Sequence, residues 1–152
     1  METSTVTDTG FGPIVVGMTP LEARTAAGGR LQLPEPLRAE GCDYASVPGV
    51  EGLEGLSFMI ENGRVVRVDV RARGIRTVEG GAVGDTEGRI QELYAGRVTV
   101  SPHKYTDGHY LTVASRNAAG GSVQLIFETD GQVVTRFRGG LLPQVAYVEG
   151  CG

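Results

Sequence analysis

The chain echoes itself. Val16-Gly17-Met18-Thr19-Pro20-Leu21-Glu22-Ala23-Arg24 lines up with Val83-Gly84-Asp85-Thr86-Glu87-Gly88-Arg89-Ile90-Gln91 at an offset of 67 residues. Such an echo constrains the fold strongly, because both stretches must build the same local unit. In the first copy Thr19 is placed to cap a helix, Pro20 suits the first helical position, and Glu22 completes a capping box. In the second, Thr86 takes the cap position and Glu87 sets a carboxylate in the first turn, where the helix dipole favours it. Gly28-Gly29 and Gly96 stand where left-handed C-terminal caps fall.

Each copy then runs into strand-like segments and closes in a hairpin. Leu56–Ile60 turns through Asn62-Gly63 into Val65–Val70, and Val123–Phe127 turns through Asp130-Gly131 into Val133–Phe137. Asn-Gly and Asp-Gly between alternating apolar runs are strong hairpin signals. Three-residue loops put Phe58, Val66, Val68 and Val70 on one face of the first hairpin, and Leu125, Phe127, Val133 and Phe137 on one face of the second. Counted from the turn glycine those faces have opposite parity, so either the copies differ in register or a bulge intervenes. Twenty-four glycines and seven prolines fit a chain of short antiparallel strands joined by tight turns.

A length of 152 residues suits one domain. The expected fold class is α+β: two tandem helix-plus-antiparallel-sheet repeats, about 11–74 and 75–152, with the helices on one sheet face and the other face open. Residues 1–10 are polar and patternless and are expected to form a disordered tether, or the stub left by a removed export signal. The net charge is −4 with no cluster of basic residues, which argues against nucleic acid as a partner. No apolar run approaches the ~20 residues of a membrane span.

Cys42 and Cys151 are the two cysteines. A terminal cysteine has little packing role of its own, so tying down the C-terminus is its most economical use. A Cys42–Cys151 disulfide would close a loop of about 110 residues and point to a periplasmic or secreted protein, against two free thiols in a reducing compartment.

Arg97–Val113 is the segment expected to carry recognition. A two-residue turn at Asp107-Gly108 sets Thr106 opposite His109, Tyr105 opposite Tyr110 and His103 opposite Thr112. Val98, Val100, Leu111 and Val113 then face a core, while Thr99, Ser101, His103, Tyr105, Tyr110 and Thr112 gather on the other side as a partner-binding patch. The plainer reading is a solvated face with tyrosines chosen for strand propensity. His103, Asp107 and His109 do not make a metal site, because the two histidines point to opposite faces and no further ligand stands nearby. No catalytic serine, activated thiol or phosphate-binding glycine loop is present in the sequence, and no cofactor is expected. The arginines of Arg64–Arg73 and Arg136-Phe137-Arg138 read as a solvated strand face, with an anionic docking stripe as the alternative.

The Val-Gly-Met-Thr-Pro-Leu-Glu-Ala and Val-Gly-Asp-Thr-Glu segments resemble the repeat unit of the β-lactamase inhibitory protein superfamily and of the small outer-membrane assembly lipoproteins that share it. The resemblance spans about Gly12 to Cys151, its motif being Gly17-Met18-Thr19 with Glu22. It implies two copies that form a continuous concave surface engaging another protein. The chain departs from the inhibitors in having two cysteines rather than a disulfide within each copy, and Asp85 where the first copy has a methionine. The expected function is a non-enzymatic protein-binding module of the bacterial cell envelope. The alternatives are a structural envelope lipoprotein with a lipid tether, and a small hydrolase or ligand-binding enzyme using His103 and Asp107.

Overall fold

The computed structural model describes residues 4–115 and 122–152. Its class is α+β, with two helices, a small three-stranded sheet and a seven-stranded antiparallel sheet. The small sheet comprises β1 (Val6–Thr7), β2 (Gly10–Phe11) and β3 (Ile14–Val15). Helix α1 (Pro20–Ala26) follows, then β4 (Cys42–Ser46), β5 (Leu56–Glu61) and β6 (Arg64–Val70). Helix α2 (Glu87–Leu93) leads into β7 (Val98–Pro102), β8 (His109–Ala114), β9 (Val123–Thr129) and β10 (Val134–Leu141). The large sheet runs β4-β5-β6-β10-β9-β8-β7, so the last strand closes against β6 at the centre.

Both helices start where the cap residues require. The Thr19 hydroxyl oxygen accepts the Glu22 backbone N–H, and the Glu22 carboxylate accepts the Thr19 N–H. Thr86 accepts from Arg89. The same pair of backbone bonds ties each helix entry to the sheet. Gly17 donates to Val65 and Val65 to Met18; Gly84 donates to Val134 and Val134 to Asp85. The helices and the small sheet cover one face of the large sheet, where Phe11, Ile14, Ile90 and Tyr94 join Phe58, Val68, Phe127 and Phe137 in the core.

Each central hairpin contains a bulge in its second strand. On β5–β6 the register slips between Met59↔Arg67 and Ile60↔Val65, and on β9–β10 between Thr129↔Val134 and Glu128↔Arg136. The extra residues, Val66 and Thr135, break the alternation, so Val65 and Val134 enter the core cluster where Val66 and Val133 were expected. The first turn is a two-residue one, with Asn62 and Gly63 both at positive φ (52° and 75°). The second centres one residue later than Asp130-Gly131, on Gly131-Gln132, with Asp130 Oδ1 accepting the Gln132 and Val133 N–H groups. This one-place difference between the glycines produces the parity mismatch read from the sequence.

The expected tether is not what Ser4–Gly10 forms. Val6 is fully buried, accepts the Val78 N–H and donates to the Arg76 carbonyl. Gly139 is what lets the segment lie so close, since a Cβ there would stand 2.5 Å from the Thr7 carbonyl oxygen. Met1–Thr3, the rest of that stretch, lie outside the described residues.

The far side of the sheet is not open either. After β10 the chain doubles back through a 3-10 turn (Gln144–Ala146) and a terminal segment that crosses the centre of that face. Cys42 and Cys151 form a disulfide that fastens the end of this strap to edge strand β4. The strap is anchored by Val145, which is fully buried, and by two guanidinium groups: Arg67 Nη1 donates to the carbonyls of Gln144 (2.9 Å) and Tyr147 (2.8 Å), and Arg138 Nε to that of Val145 (2.5 Å). Arg67 and Arg138, read from sequence as part of a solvated face, are 2% and 3% exposed. The backbone carbonyls of an incoming segment supply the acceptors that buried arginines need.

Candidate functional site

The expected recognition hairpin forms, in a different register. β7 and β8 pair as Val98↔Val113, Thr99↔Thr112, Val100↔Leu111, Ser101↔Tyr110 and Pro102↔His109. Asp107-Gly108 is therefore not a two-residue turn, and residues 103–108 form a longer loop. Gly108 sits in this loop with no room for a side chain, since a Cβ would overlap the Thr129 carbonyl at 1.8 Å. Because the register differs from the expected one by an even number of residues, the faces are preserved. Leu111 and Val113 are buried in the core and Val98 is half-buried, whereas Val100, expected in the core, is 44% exposed on the outermost strand.

The six expected site residues separate into two environments. Thr99, Ser101, Tyr110 and Thr112 occupy the outer face of β7–β8, Thr99 exposed and the others half-buried. His103 and Tyr105 belong to the loop that folds back over this face. The His103 ring stacks on Tyr110 with centroids 4.6 Å apart, and Tyr110 Oη accepts the Lys104 N–H. Tyr105 is 58% exposed and donates its hydroxyl proton to the Glu149 carboxylate of the strap at 2.5 Å.

Beneath the loop lies a buried ionic node that the sequence reading missed. Glu128, 1% exposed on β9, receives His103 Nε2 at 2.8 Å and Arg136 Nε at 3.2 Å on one carboxylate oxygen, and Arg138 Nη1 on the other. His103 Nδ1 accepts the Tyr105 backbone N–H, so the ring proton resides on Nε2 and the neutral imidazole satisfies both partners. Burial pushes the Glu128 carboxyl up, but hydrogen bonds from Arg138 and His103, with the charges of Arg138 and Arg136, outweigh it and hold the group below its ordinary range. Beside the node Arg67 Nε meets Asp69 Oδ2 at 2.9 Å, both side chains being buried. The sequence signal for Glu128 is a carboxylate that directly follows the apolar run Leu125-Ile126-Phe127, before the turn. Its cationic partners become visible only once β8, β9 and β10 are known to be neighbours.

His109 stands on the other side of the sheet, as expected. Its Nδ1 is 2.7 Å from Glu87 Oε2, on the first residue of α2, and the same oxygen accepts the Thr129 hydroxyl at 2.5 Å. The two histidines thus serve different carboxylates on opposite faces. Asp107 is exposed, and the carboxylate that engages His103 is Glu128 instead.

A surface depression of about 680 Å³ lies elsewhere, between α1 and edge strand β4, and includes Leu21, Leu33, Leu37 and Tyr44. Among the described residues, pairing on the outer edge of β4 is limited to a single antiparallel bridge, Gln32↔Ser46. Two residues on, Pro34 falls opposite Tyr44 in that register and has no N–H to continue the ladder. Among the described residues no helix is long and apolar enough to cross a membrane. The disulfide suggests an oxidising, extracytoplasmic compartment.

No protein-family model matches the sequence, and no curated protein is similar to it. In three dimensions the chain is similar to the uncharacterized protein yfeY from Escherichia coli, with a TM-score of 0.53 and 13% identity over 90% of this chain and 99% of that one. At that identity the likeness is one of fold.

Proposed function

We propose that the chain is a non-enzymatic protein-binding module of the bacterial cell envelope, built from two diverged copies of one helix-and-sheet unit and engaging its partner through the outer face of β7–β8 with Tyr105. The observation that carries this reading is the contrast in accessibility across the outer sheet face. At its centre Arg67, Glu128 and Arg138 are buried, while Thr99 is exposed, Ser101 and Thr112 are half-exposed and Tyr105, on the loop that follows β7, is 58% exposed. Hydroxyl groups with a rigid aromatic are suited to adaptable polar contacts around an anchor.

The two-copy reading is supported by the matching helix caps, the matching bond pairs at Val65 and Val134, and a bulge one residue beyond each. These features agree with the resemblance to the β-lactamase inhibitory protein unit. The disulfide supports a periplasmic or secreted location, with envelope anchoring through a lipid tether as the corresponding extension of the proposal.

Tyr110 is a support in this scheme, since its ring and hydroxyl hold the loop. The test is pull-down of a partner from envelope extracts by the native protein, compared with Thr99→Arg/Tyr105→Ala. Loss of an aromatic anchor of this kind costs ~2 kcal/mol, so capture should fall by more than tenfold. Undiminished capture by a variant with an unaltered circular dichroism spectrum removes this face from consideration.

A further inference from the structure

We infer that the C-terminal strap is a two-part device whose distal half, Val148–Gly152, is a redox-released cover, while its proximal half, Leu142–Tyr147, stays seated whatever the state of the disulfide. The two halves are held by different physics. The proximal half carries fully buried Val145, and its carbonyls at Gln144, Val145 and Tyr147 are the acceptors of two buried guanidinium groups. Gln144 Nε2 also donates to Glu61 Oε1 at 2.8 Å. Lifting this half would leave Arg67 and Arg138 short of acceptors in a buried site, so it stays down.

The distal half buries no such group. Val148 and Gly150 are half-exposed, and Glu149, Cys151 and Gly152 are exposed. Among the described residues its hydrogen bonds and ion pairs to other segments are the Tyr105–Glu149 hydrogen bond, the Lys104–Glu149 ion pair at 3.9 Å between side chains 57% and 64% exposed, the Cys151 N–H on Tyr44 Oη at 3.2 Å, and the Gly150 N–H on the Tyr147 carbonyl of the proximal half at 3.2 Å. Exposed polar contacts of this kind barely offset the entropy of ordering the five residues that make them. The disulfide is therefore the element that keeps the cover in place.

Release is a thiol–disulfide exchange with a dithiol reductant. One thiolate of the dithiol attacks the sulfur of Cys151, an exposed residue, the S–S bond breaks, and Cys42 leaves as a thiolate that takes up a proton. The second thiol of the reductant then displaces Cys151 from the mixed disulfide. The dithiol is oxidised to its own disulfide and both cysteines end as thiols. Opening releases the Tyr44, Tyr105 and Lys104 polar groups from their partners in the segment, which makes it a gate on the groups that those side chains can offer a partner.

Residue-resolved hydrogen exchange on the full chain, oxidised and after treatment with dithiothreitol, tests this. Reduction should raise exchange at Gly150, Cys151 and Gly152 by about tenfold or more, with Ala146 and Tyr147 and the strands β6 and β10 unchanged. Cys42→Ser/Cys151→Ser should behave as the reduced protein, and if it does not fold, reduction of the folded native protein supplies the same readout. Two results overturn the inference. Unchanged exchange at Gly150–Gly152 would mean that the noncovalent contacts hold the tail, and exchange rising throughout the strap and the central strands would mean that the disulfide holds the fold rather than a cover.

Discussion

Glu128 is the residue on which the outer half of the molecule turns. One carboxylate gathers His103 from the loop, Arg136 at the edge of the node and Arg138 from the buried centre, and so joins β9, β10 and the recognition loop. Replacing it with glutamine leaves the Arg138 guanidinium without its counter-charge in a buried site. Glu128→Gln is therefore expected to lower the unfolding free energy by about 3 kcal/mol in urea titrations at neutral pH. The same group gives the protein an acid limit. Its folded pKa lies below the ordinary value of 4.5, so its stabilisation is fully present above that pH and is lost as pH falls through the folded value. Native stability should decline as the pH falls below the ordinary carboxylate value of 4.5, and the decline should be shallower in Glu128→Gln. The alternation of Arg64–Arg73 gave no warning of buried arginines. A guanidinium on a strand reads as solvent-facing until something distant in sequence, here the carbonyls of Gln144, Val145 and Tyr147, arrives to accept its protons.

At the scale of elements, the helices were legible because their caps are local chemistry: Thr19 with Glu22, and Thr86 with Arg89, lie within one turn of each other. Thr19→Ala and Thr86→Ala should each cost about 1 kcal/mol, measured by urea unfolding. The central hairpins were legible as pairs of strands but not in their register. A bulge shifts the inward positions without changing composition, and the glycine that marks the turn can stand at either of its central places. If the bulge at Thr135 sets the face, Val134→Ala should cost ~2 kcal/mol and Val133→Ala less than about 1 kcal/mol, because only Val134 is in the core. Equal costs would contradict the bulged register. The β7–β8 hairpin kept its expected faces while changing partners, since the longer loop displaces the register by an even number of residues.

For the whole molecule the disulfide has two separable consequences. By closing a loop with a sequence separation of 109 it restricts the unfolded chain, so the reduced protein should unfold with a free energy lower by ~4–5 kcal/mol. Equilibrium unfolding with and without reductant measures this directly. The native core, built on the opposite face of the sheet from the strap, should keep its near-ultraviolet spectrum on reduction. Such a spectrum with a reduced unfolding free energy is the signature of a cross-link that acts mainly through the unfolded state.

What the sequence by itself determined is whatever short-range chemistry enforces: two capped helices, turn-marked hairpins, the inward and outward sides of β7–β8, and the pairing of the only two cysteines. What the tertiary structure alone decided is which face of the sheet is accessible. That depended on the last eleven residues folding back across strands whose arginines they satisfy, and on Thr7 and Asp8, next to buried Val6, settling into the space that Gly139 leaves. Both are contacts between residues about 70 or more positions apart in sequence, except for Arg138 and the turn beside it. Their stability comes from burial and from saturating buried donors, neither of which a local pattern of residues records.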